Sequence, residues 1–481
     1  MNTRALKLSV LLLASAAMPA AAQSIPALAA RAATSFSANG GVNDLAFNDK
    51  ANVYLHVWGH PAVWGAFVNA DGALLGAPFL IAAQSQSDSL PRVAYSQGSA
   101  DDVFWVTFTS EFAGRYVYSR LVRYVPSAPG FHVMGPVQPV STAAGGPLQS
   151  TGGIAFDPAR RQFFATWEGL PGGNWDAFGQ VWQLSGSTDA PAIAPASVVM
   201  NISASPNAQG MPNVAFDWQH NRYLVVYAGE TPQSDLVNAS WAKTVTFDGA
   251  MNPTLSEMIN LATGLGRPIE QNVLYAPEVD GFLTFWTDMT SVRDVTGKMV
   301  NHSGLGGGVF PIMATASNEG AADAAYNPGT RSILMAAMRD QTKYAQGVVL
   351  TGAGSIIEYF QATSVLPGGA LETLYPQVVS APGNRFGVSY MNTFQFGYVD
   401  ILQGGAGVGG GPTPPPPTPS CAVEPMPGTT SVSLTGAAQS RTISVTASTA
   451  DCAWTATSSA SWLTITAGAS GAGPGTTTYA V

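Results

Sequence analysis

The chain has 481 residues, of which 46% are hydrophobic and only 10% are charged, and its formal net charge is −9. Average soluble domains carry about 25% charged residues, so this composition excludes a coiled coil, a charged disordered chain and a basic nucleic-acid-binding protein. The 52 glycines and 34 prolines instead favour many short strands joined by turns.

Residues 1–22 have the pattern of a secretory signal peptide. Two basic residues precede an apolar core at 8–17, and Ala20–Ala22 offer a small-residue cleavage site. The alternative, a membrane anchor, needs about 20 apolar residues, whereas Pro19 interrupts this shorter run. We therefore expect an extracytoplasmic protein, secreted or periplasmic, without a membrane span.

Seven similar segments follow, and their last residues, which we call the anchors, recur 48 to 61 residues apart. The segments are NDLAF (43–47), PRVAY (91–95), GGIAF (152–156), PNVAF (212–216), QNVLY (271–275), ADAAY (322–326) and PQVVS (376–380). Each precedes a turn rich in Asn, Asp, Pro and Gly, then a second, a third and usually a shorter fourth apolar run. Seven units of four short strands predict an all-β fold, a seven-bladed β-propeller over residues 32–403. The alternatives are a β-solenoid, whose repeats are usually shorter, and a sandwich array, which would not repeat one motif seven times.

The seventh unit ends after its third strand. Residues 32–38 (AATSFSA), ahead of the first unit, resemble the fourth-strand pattern. We therefore expect the N-terminal segment to complete the last blade, which leaves no sheet edge exposed.

A Gly-rich and then Pro-rich linker occupies residues 404–420, and a second domain follows at 421–481. Alternating Ser/Thr and aliphatic residues predict strands at 431–435, 441–447, 453–457 and 462–466. The chain has two cysteines, Cys421 and Cys452, for which an oxidising compartment favours a disulfide over two free thiols.

The second domain carries a specific series of residues: Cys452-Ala-Trp454, Ser461-Trp462-Leu463 and Gly471-x-Gly473-x-Gly475. It resembles the BACON domain, a small immunoglobulin-like β-sandwich of secreted, mostly bacterial proteins, and the resemblance implies glycan or mucin-like partners. Members continue through two more strands, so we expect an incomplete sandwich here, and the sequence leaves open whether the native chain continues beyond Val481. We expect both tryptophans in the sandwich core. The upstream repeats resemble those of other exported bacterial propellers, a generic likeness that assigns no activity.

Chain direction places the second-to-third-strand loops and the connections between blades on one face of the ring. Propellers usually bind ligands there, and the candidate residues in these loops are His60, Trp64, Glu168, Trp175, Glu230, Asp288, Arg339 and Asp340. Aromatic faces stack on sugar rings, and carboxylates and Arg hydrogen-bond to hydroxyls. The alternative is that these are ordinary solvated loop residues.

These observations predict an exported, non-catalytic binding or adhesion protein that recognises carbohydrate or a cell-surface glycan. The alternative is a glycoside hydrolase or polysaccharide lyase with an appended targeting module, and a protein-binding scaffold is a third possibility. The sequence leaves open whether the protein is an enzyme. The sequence has no motif for a catalytic nucleophile, a metal site or a phosphate-binding loop, so we predict no cofactor and no metal. The net charge of −9 predicts no nucleic-acid partner. We also expect a monomer.

Overall fold

A computed structural model describes most of residues 26–404 and parts of 423–480. The gaps before residue 404 are 35–41, 60, 86, 112–113, 142–144, 188, 204–207, 231–236, 266, 291, 302–305, 341, 343, 364–372 and 393–396. Beyond it, the described residues are 423–426, 440–447, 453–456, 458, 463–472 and 475–480.

The chain forms the predicted seven-bladed propeller, and each blade is an antiparallel sheet of four or five strands in the described residues. Blade 1 comprises Asn43–Asn48, Val53–Gly59, Val63–Asn69 and Leu74–Ala82; blade 2 Ser89–Tyr95, Phe104–Ser110, Tyr116–Tyr124, His132–Met134 and Gln138–Pro139; blade 3 Gln149–Asp157, Gln162–Gly169, Asp176–Ser187, Ala190–Pro195 and Met200–Asn201. Blade 4 comprises Gln209–Asp217, Arg222–Glu230, Val237–Phe247, Pro253–Leu255 and Ile259–Thr263; blade 5 Ile269–Ala276, Gly281–Asp288, Asp294–Asn301 and Phe310–Met313; blade 6 Glu319–Asn327, Ser332–Arg339, Gln346–Thr351 and Ile356–Gln361; blade 7 Thr373–Ala381, Arg385–Asn392, Gly397–Gly404 and Pro26–Ala33. Short 3-10 turns lie at Pro129–Phe131 and Pro277–Val279, and no helix in the described part of the chain is long and apolar enough to cross a membrane.

The core lies between the blades. Successive strand residues point to opposite faces of a sheet, so each blade offers an apolar face to both neighbours. Buried clusters accordingly join blades 1 and 2, 2 and 3, 3 and 4, 4 and 5, 5 and 6, 6 and 7, and 7 and 1. Trp105, Trp167 and Trp286 are among the largest fully buried side chains. Because blade 7 packs on blade 1 as any other pair does, the ring is closed.

The fourth strand of blade 7 comes from the N-terminus: Pro26–Ala33 pairs antiparallel with Gly397–Gly404. This strand overlaps the predicted 32–38 segment at residues 32 and 33, and the described propeller extends upstream of the predicted boundary at residue 32 as far as Pro26. A specific contact fixes the register, because Arg31 Nε lies 2.9 Å from Oδ1 of the fully buried Asp400. Ala32 of the same strand is buried in the cluster between blades 7 and 1.

The residues from Pro414 onward belong to a separate compact unit. Its described strands form one sheet in the order Val423–Met426, Ser440–Ala447, Gly475–Ala480 and Thr464–Ala467, and a second sheet of Ala453–Thr455 and Ser470–Ala472. The predicted strand at 431–435, both cysteines and Trp462 lie outside the described residues. The BACON-like sandwich and the disulfide therefore stay predictions.

Candidate functional site

The first strand of every blade, which we call the inner strand, lines a central cavity of about 360 Å³. The lining residues lie between five and two positions before the anchors, around the middle of most inner strands. The residues five positions before the anchors extend the lining toward the end of the channel that carries the second-to-third-strand loops, which we call the loop side. The opposite end, with the first-to-second-strand turns, is the turn side.

One position of the repeat supplies most of the polar lining. The residues three positions before the anchors, which we call the polar ring, are Asp44, Arg92, Gly153, Asn213, Asn272, Asp323 and Gln377, and all seven line the cavity. Six of the seven carry a charge or an amide inside otherwise apolar segments. An apolar core would not select such residues at the same position in six blades, so the polar ring is the candidate site.

Amide and carboxylate groups connect one half of the polar ring from blade to blade. Asn213 Nδ2 donates to Asn272 Oδ1 at 2.9 Å, and Asn272 Nδ2 donates to Asp323 Oδ1 at 2.7 Å. Gly153 is the one member without a side chain, because a Cβ there would lie 1.8 Å from Asn213 Oδ1. These bonds fix the side chains that face the cavity.

The other half of the polar ring is charged and more sparsely bonded. Asp44 accepts hydrogen bonds from the backbone of Leu45 and of Val93 in blade 2, each at 2.8 Å. The Arg92 guanidinium donates to Gln377 Oε1 at 3.5 Å, the one side-chain hydrogen bond that the described residues give it. Since a guanidinium has five N–H donors, most of its hydrogen-bonding capacity remains for a ligand or solvent.

Burial shifts the pKa of both acids in the polar ring. It raises the pKa of Asp44 to about 6; Arg92 lowers that pKa and Asp323 raises it further. Burial also raises the pKa of Asp323, against hydrogen bonds from the Val378 backbone and Asn272. Titratable groups shifted by desolvation in a cavity are a feature of binding and catalytic sites.

The cavity is bounded by a repeated bulge. The residues five positions before the anchors, which we call the rim, are Val42, Leu90, Thr151, Met211, Glu270, Ala321 and Tyr375. In blades 2 to 7 the inner strand shifts register at this point. Leu90, Met211, Glu270, Ala321 and Tyr375 have φ between 47° and 55° there. Left-handed backbone is uncommon outside glycine and is concentrated, like β-bulges, at functional sites.

Side chains from other blades hold these bulges. Glu168 Oε2 accepts a hydrogen bond from the Met211 backbone at 2.8 Å, and Glu270 accepts one from the Ala321 backbone. Asn43 Nδ2 donates to the Tyr375 carbonyl at 2.8 Å. The rim is therefore built into the blade interfaces, and Tyr375 and Met211 remain 38% and 41% exposed on it.

The sequence-predicted site residues lie elsewhere. His60 is outside the described residues, and none of the other seven is among the residues that line the cavity. Trp64 is 37% exposed on the third strand of blade 1, and half-buried Trp175 precedes the third strand of blade 3. Of the eight, Glu168 is the one that contacts the rim, and burial raises the pKa of its carboxyl.

The remaining predicted residues brace loops. Glu230 accepts a hydrogen bond from the Ala208 backbone at 3.2 Å, and Asp288 Oδ1 accepts one from the Thr290 backbone at 3.0 Å. Arg339 Nε lies 3.4 Å from Glu319 Oε1, and Asp340 Oδ1 lies 3.4 Å from Arg293 Nη2 of blade 5. The contact of these residues with a ligand stays a prediction.

On the turn side, polar side chains bridge every pair of neighbouring blades, and we call this set the turn-side belt. Its bridges are Asn48–Asp102, Asp101–Arg161, Arg160–Asn221, His220–Asp280, Glu278–Arg331, Asn327 to the Arg385 carbonyl, and Arg385–Asn52. Four arginines and four acidic residues take part in these bridges. Its groups are paired with one another, which points to a structural role.

One part of the belt has metal-ligand chemistry: Asp217, His220 and Asp280 place three ligand atoms within 4.8 Å of one another. His220 Nδ1 lies 2.8 Å from Asp217 Oδ2 and 3.2 Å from Asp280 Oδ1. Arg222 Nε lies 4.0 Å from the same Asp217 oxygen, and its positive charge opposes a cation there. The arrangement fits an imidazole shared between two carboxylates better than a metal centre.

Comparison with known proteins finds distant structural likenesses. The sequence matches no family model and no curated protein. Among solved structures, a protein of unknown function from Dyadobacter fermentans has 11% identity and a TM-score of 0.48, with 79% of this chain and 99% of that one covered. The periplasmic gluconolactonase of Pseudomonas aeruginosa has 14% identity and a TM-score of 0.44, with 66% and 84% covered. The WD40 domain of Toxoplasma gondii coronin has 9% identity and a TM-score of 0.43, with 82% and 88% covered.

Proposed function

We propose that the protein is a non-catalytic binding protein that takes a small, polyhydroxylated ligand, a sugar or the end of a glycan, into the loop-side cavity. The observation that carries this proposal is the polar ring, six charged or amide side chains at one position around a cavity of about 360 Å³. That volume lies at the lower end of the range for small-molecule sites.

The chemistry of the lining supports a sugar over an apolar ligand. Carboxylates accept from hydroxyls, the Arg92 guanidinium donates to them, and amides do both. Tyr375, 38% exposed on the rim, adds an aromatic face that can stack on the apolar side of a pyranose. The signal-like residues 1–22 and the BACON-like segment belong to this proposal as an export address and a second glycan-directed module.

The direct test is binding of the full chain to immobilised polysaccharides and a glycan array, followed by titration of any retained ligand. Tyr375→Ala should weaken binding about tenfold through loss of the stacking face. Tyr359→Ala is the matched control, because Tyr359 is 46% exposed on the outermost strand of blade 6. Failure to retain any glycan, or equal loss in both variants, would contradict the proposal.

A second candidate, a glycoside hydrolase or polysaccharide lyase, is favoured by one observation. Asp44, with its pKa raised to about 6 by burial, can hold a proton near neutral pH and lies within electrostatic reach of Asp323. Two carboxyl groups with different proton affinities are what general acid and base catalysis on a sugar requires. Release of reducing or unsaturated ends from a bound polysaccharide, abolished in Asp44→Asn, would support this function over simple binding.

A further inference from the structure

We infer that the ligand of the loop-side cavity carries a positively charged group, and that its class is an amino sugar with a free ammonium. This inference rests on the proposed function and adds to it a charge specificity. It follows from an imbalance in the cavity, which three carboxylates, Asp44, Glu270 and Asp323, share with one guanidinium, that of Arg92.

Arg92 does not balance the acids by direct contact. The ion pairs of the described residues lie in the turn-side belt, in the loops and at the closing strand. Arg92 lowers the pKa of Asp44 and Asp323 by its charge, without a hydrogen bond to either. Its one side-chain hydrogen bond goes to Gln377. The cavity therefore holds half-buried carboxylates that form no ion pair within the described residues, an arrangement that a cationic ligand stabilises.

The acids also retain hydrogen-bonding capacity. Each Asp44 oxygen accepts one backbone hydrogen bond, although a carboxylate offers about four acceptor sites. Glu270 uses Oε2 for Thr287 and the Ala321 backbone, which leaves Oε1 without a partner in the described residues. An ammonium brings three donors and matches these acceptors.

The geometry disfavours the other two charged ligand types. A metal ion needs several ligand atoms close together, and in the described part of the chain that grouping lies at Asp217, His220 and Asp280 on the turn side. A uronate would meet one guanidinium against three carboxylates and would be repelled overall. A neutral sugar fits the polar ring but leaves the charge imbalance uncorrected.

The test is calorimetric titration of the full chain at pH 7 and low salt with glucosamine oligomers. The comparison ligands are N-acetylglucosamine, glucose and glucuronate oligomers of the same length. We expect the amine to bind about tenfold more tightly than its N-acetylated form. That preference should fall toward parity in Asp44→Asn and Glu270→Gln. It should persist in Asp189→Asn, which removes a 99% exposed carboxylate from blade 3.

These variants are compatible with the fold. Asparagine already occupies the Asp44 position in blades 4 and 5, where Asn213 and Asn272 Oδ1 accept from the next backbone N–H at 2.8 Å, as Asp44 Oδ1 does. In Asp44→Asn the hydrogen bond from the Val93 N–H to Asp44 Oδ2 is lost, because the amide nitrogen in that place is a donor. Glutamine at 270 keeps one oxygen for the two donors that Glu270 binds. Thermal unfolding of each variant checks this directly.

A second readout separates an ion pair from a merely structural carboxylate. Around Asp44 the charged and titratable groups are Arg92, Asp323 and Glu270, with Tyr375 on the rim. A bound ammonium favours the ionised acid, so amine binding near pH 6 should release protons, detected as a buffer-dependent enthalpy, and Asp44→Asn should abolish the release. Equal or tighter binding of neutral or acidic sugars would overturn the inference and leave the proposed function standing. Failure of every sugar to bind would overturn both.

Discussion

The two ends of the propeller use polar residues in opposite ways. On the turn side, each pair of neighbouring blades is joined by side chains that satisfy one another, as Arg161 and Asp101 do at 2.9 Å. In the loop-side cavity, the side chain of Arg92 forms one hydrogen bond, of 3.5 Å, and Asp44 forms no ion pair, within the part of the chain that the structure describes. Charged residues occur at both ends. Their position within the repeat therefore distinguishes the residues that join the blades from those that we propose bind a ligand.

Opening the ring should disrupt both the turn-side belt and the loop-side cavity. Deletion of residues 23–34 removes the closing strand, exposes the edge of Gly397–Gly404 and leaves Asp400 buried without Arg31. We expect the cooperative thermal transition to be lost. Deletion of residues 405–481 is the control and should preserve the transition of the propeller, because the C-terminal residues form a separate unit. A propeller that unfolds normally without residues 23–34 would show that the strand is dispensable.

Within the polar ring, Gly153→Ala should have the largest effect on stability. The new Cβ would lie 1.8 Å from Asn213 Oδ1, and overpacking of this kind costs up to about 3 kcal/mol in the free energy of unfolding. Asn213→Ala in the same chain should recover part of the loss, measured by a double-mutant cycle in denaturant. Gly249→Ala meets no atom within 4 Å and is the control. Strict additivity of the two changes would contradict the contact.

In the turn-side belt, Arg161→Met should cost about 2 kcal/mol at pH 7, because Asp101, 4% exposed, loses its cation. Burial alone would raise the pKa of Asp101, but hydrogen bonds from Arg161 and Ser99 lower it below its ordinary value. The stabilisation is therefore present above pH 4 and lost as the pH falls through the lowered pKa. Urea unfolding should show a smaller difference in the free energy of unfolding between the parent and Arg161→Met at pH 3 than at pH 7. An equal difference at both pH values would contradict the ion pair.

The smallest predicted effect is a gain in stability, which we expect for the substitution of Asp44. Burial raises the pKa of Asp44 to about 6, so its contribution to stability is present below pH 4 and lost as the pH rises through 6. Asp44→Asn does not titrate and should gain about 1–2 kcal/mol relative to the parent between pH 4 and pH 7. Asp189→Asn, at an exposed site, should show a flat difference. A pH-independent difference for Asp44→Asn would contradict the burial of this carboxylate.

The repeat alone predicts the blades and their turns, because alternating apolar runs and Asn/Asp-rich turns report local structure directly. The second letter of each aligned segment is the polar-ring position. The sequence prediction instead selected charged residues of the second-to-third-strand loops, such as Glu168 and Asp288. A polar side chain at the same position of six of the seven repeats was the available signal. The sequence contains no comparable signal for the rim. The left-handed backbone of Tyr375 and Met211 accompanies register shifts that depend on how the blades pack. The Ala-rich closing strand was misplaced for a similar reason, because its register depends on Asp400.

The pairing of Arg31 with Asp400 also has a consequence for the order of folding. The two residues are 369 positions apart, so the first strand to be synthesised finds its partner only after the third strand of blade 7 has emerged. Blades 1 to 6 make contacts between neighbours in sequence, which form with low loop-closure entropy, whereas closure joins the most distant parts of the chain. The nascent propeller therefore remains an open arc with two unpaired ends until Gly397–Gly404 has emerged. Ring closure is the step at which premature association between chains competes with folding.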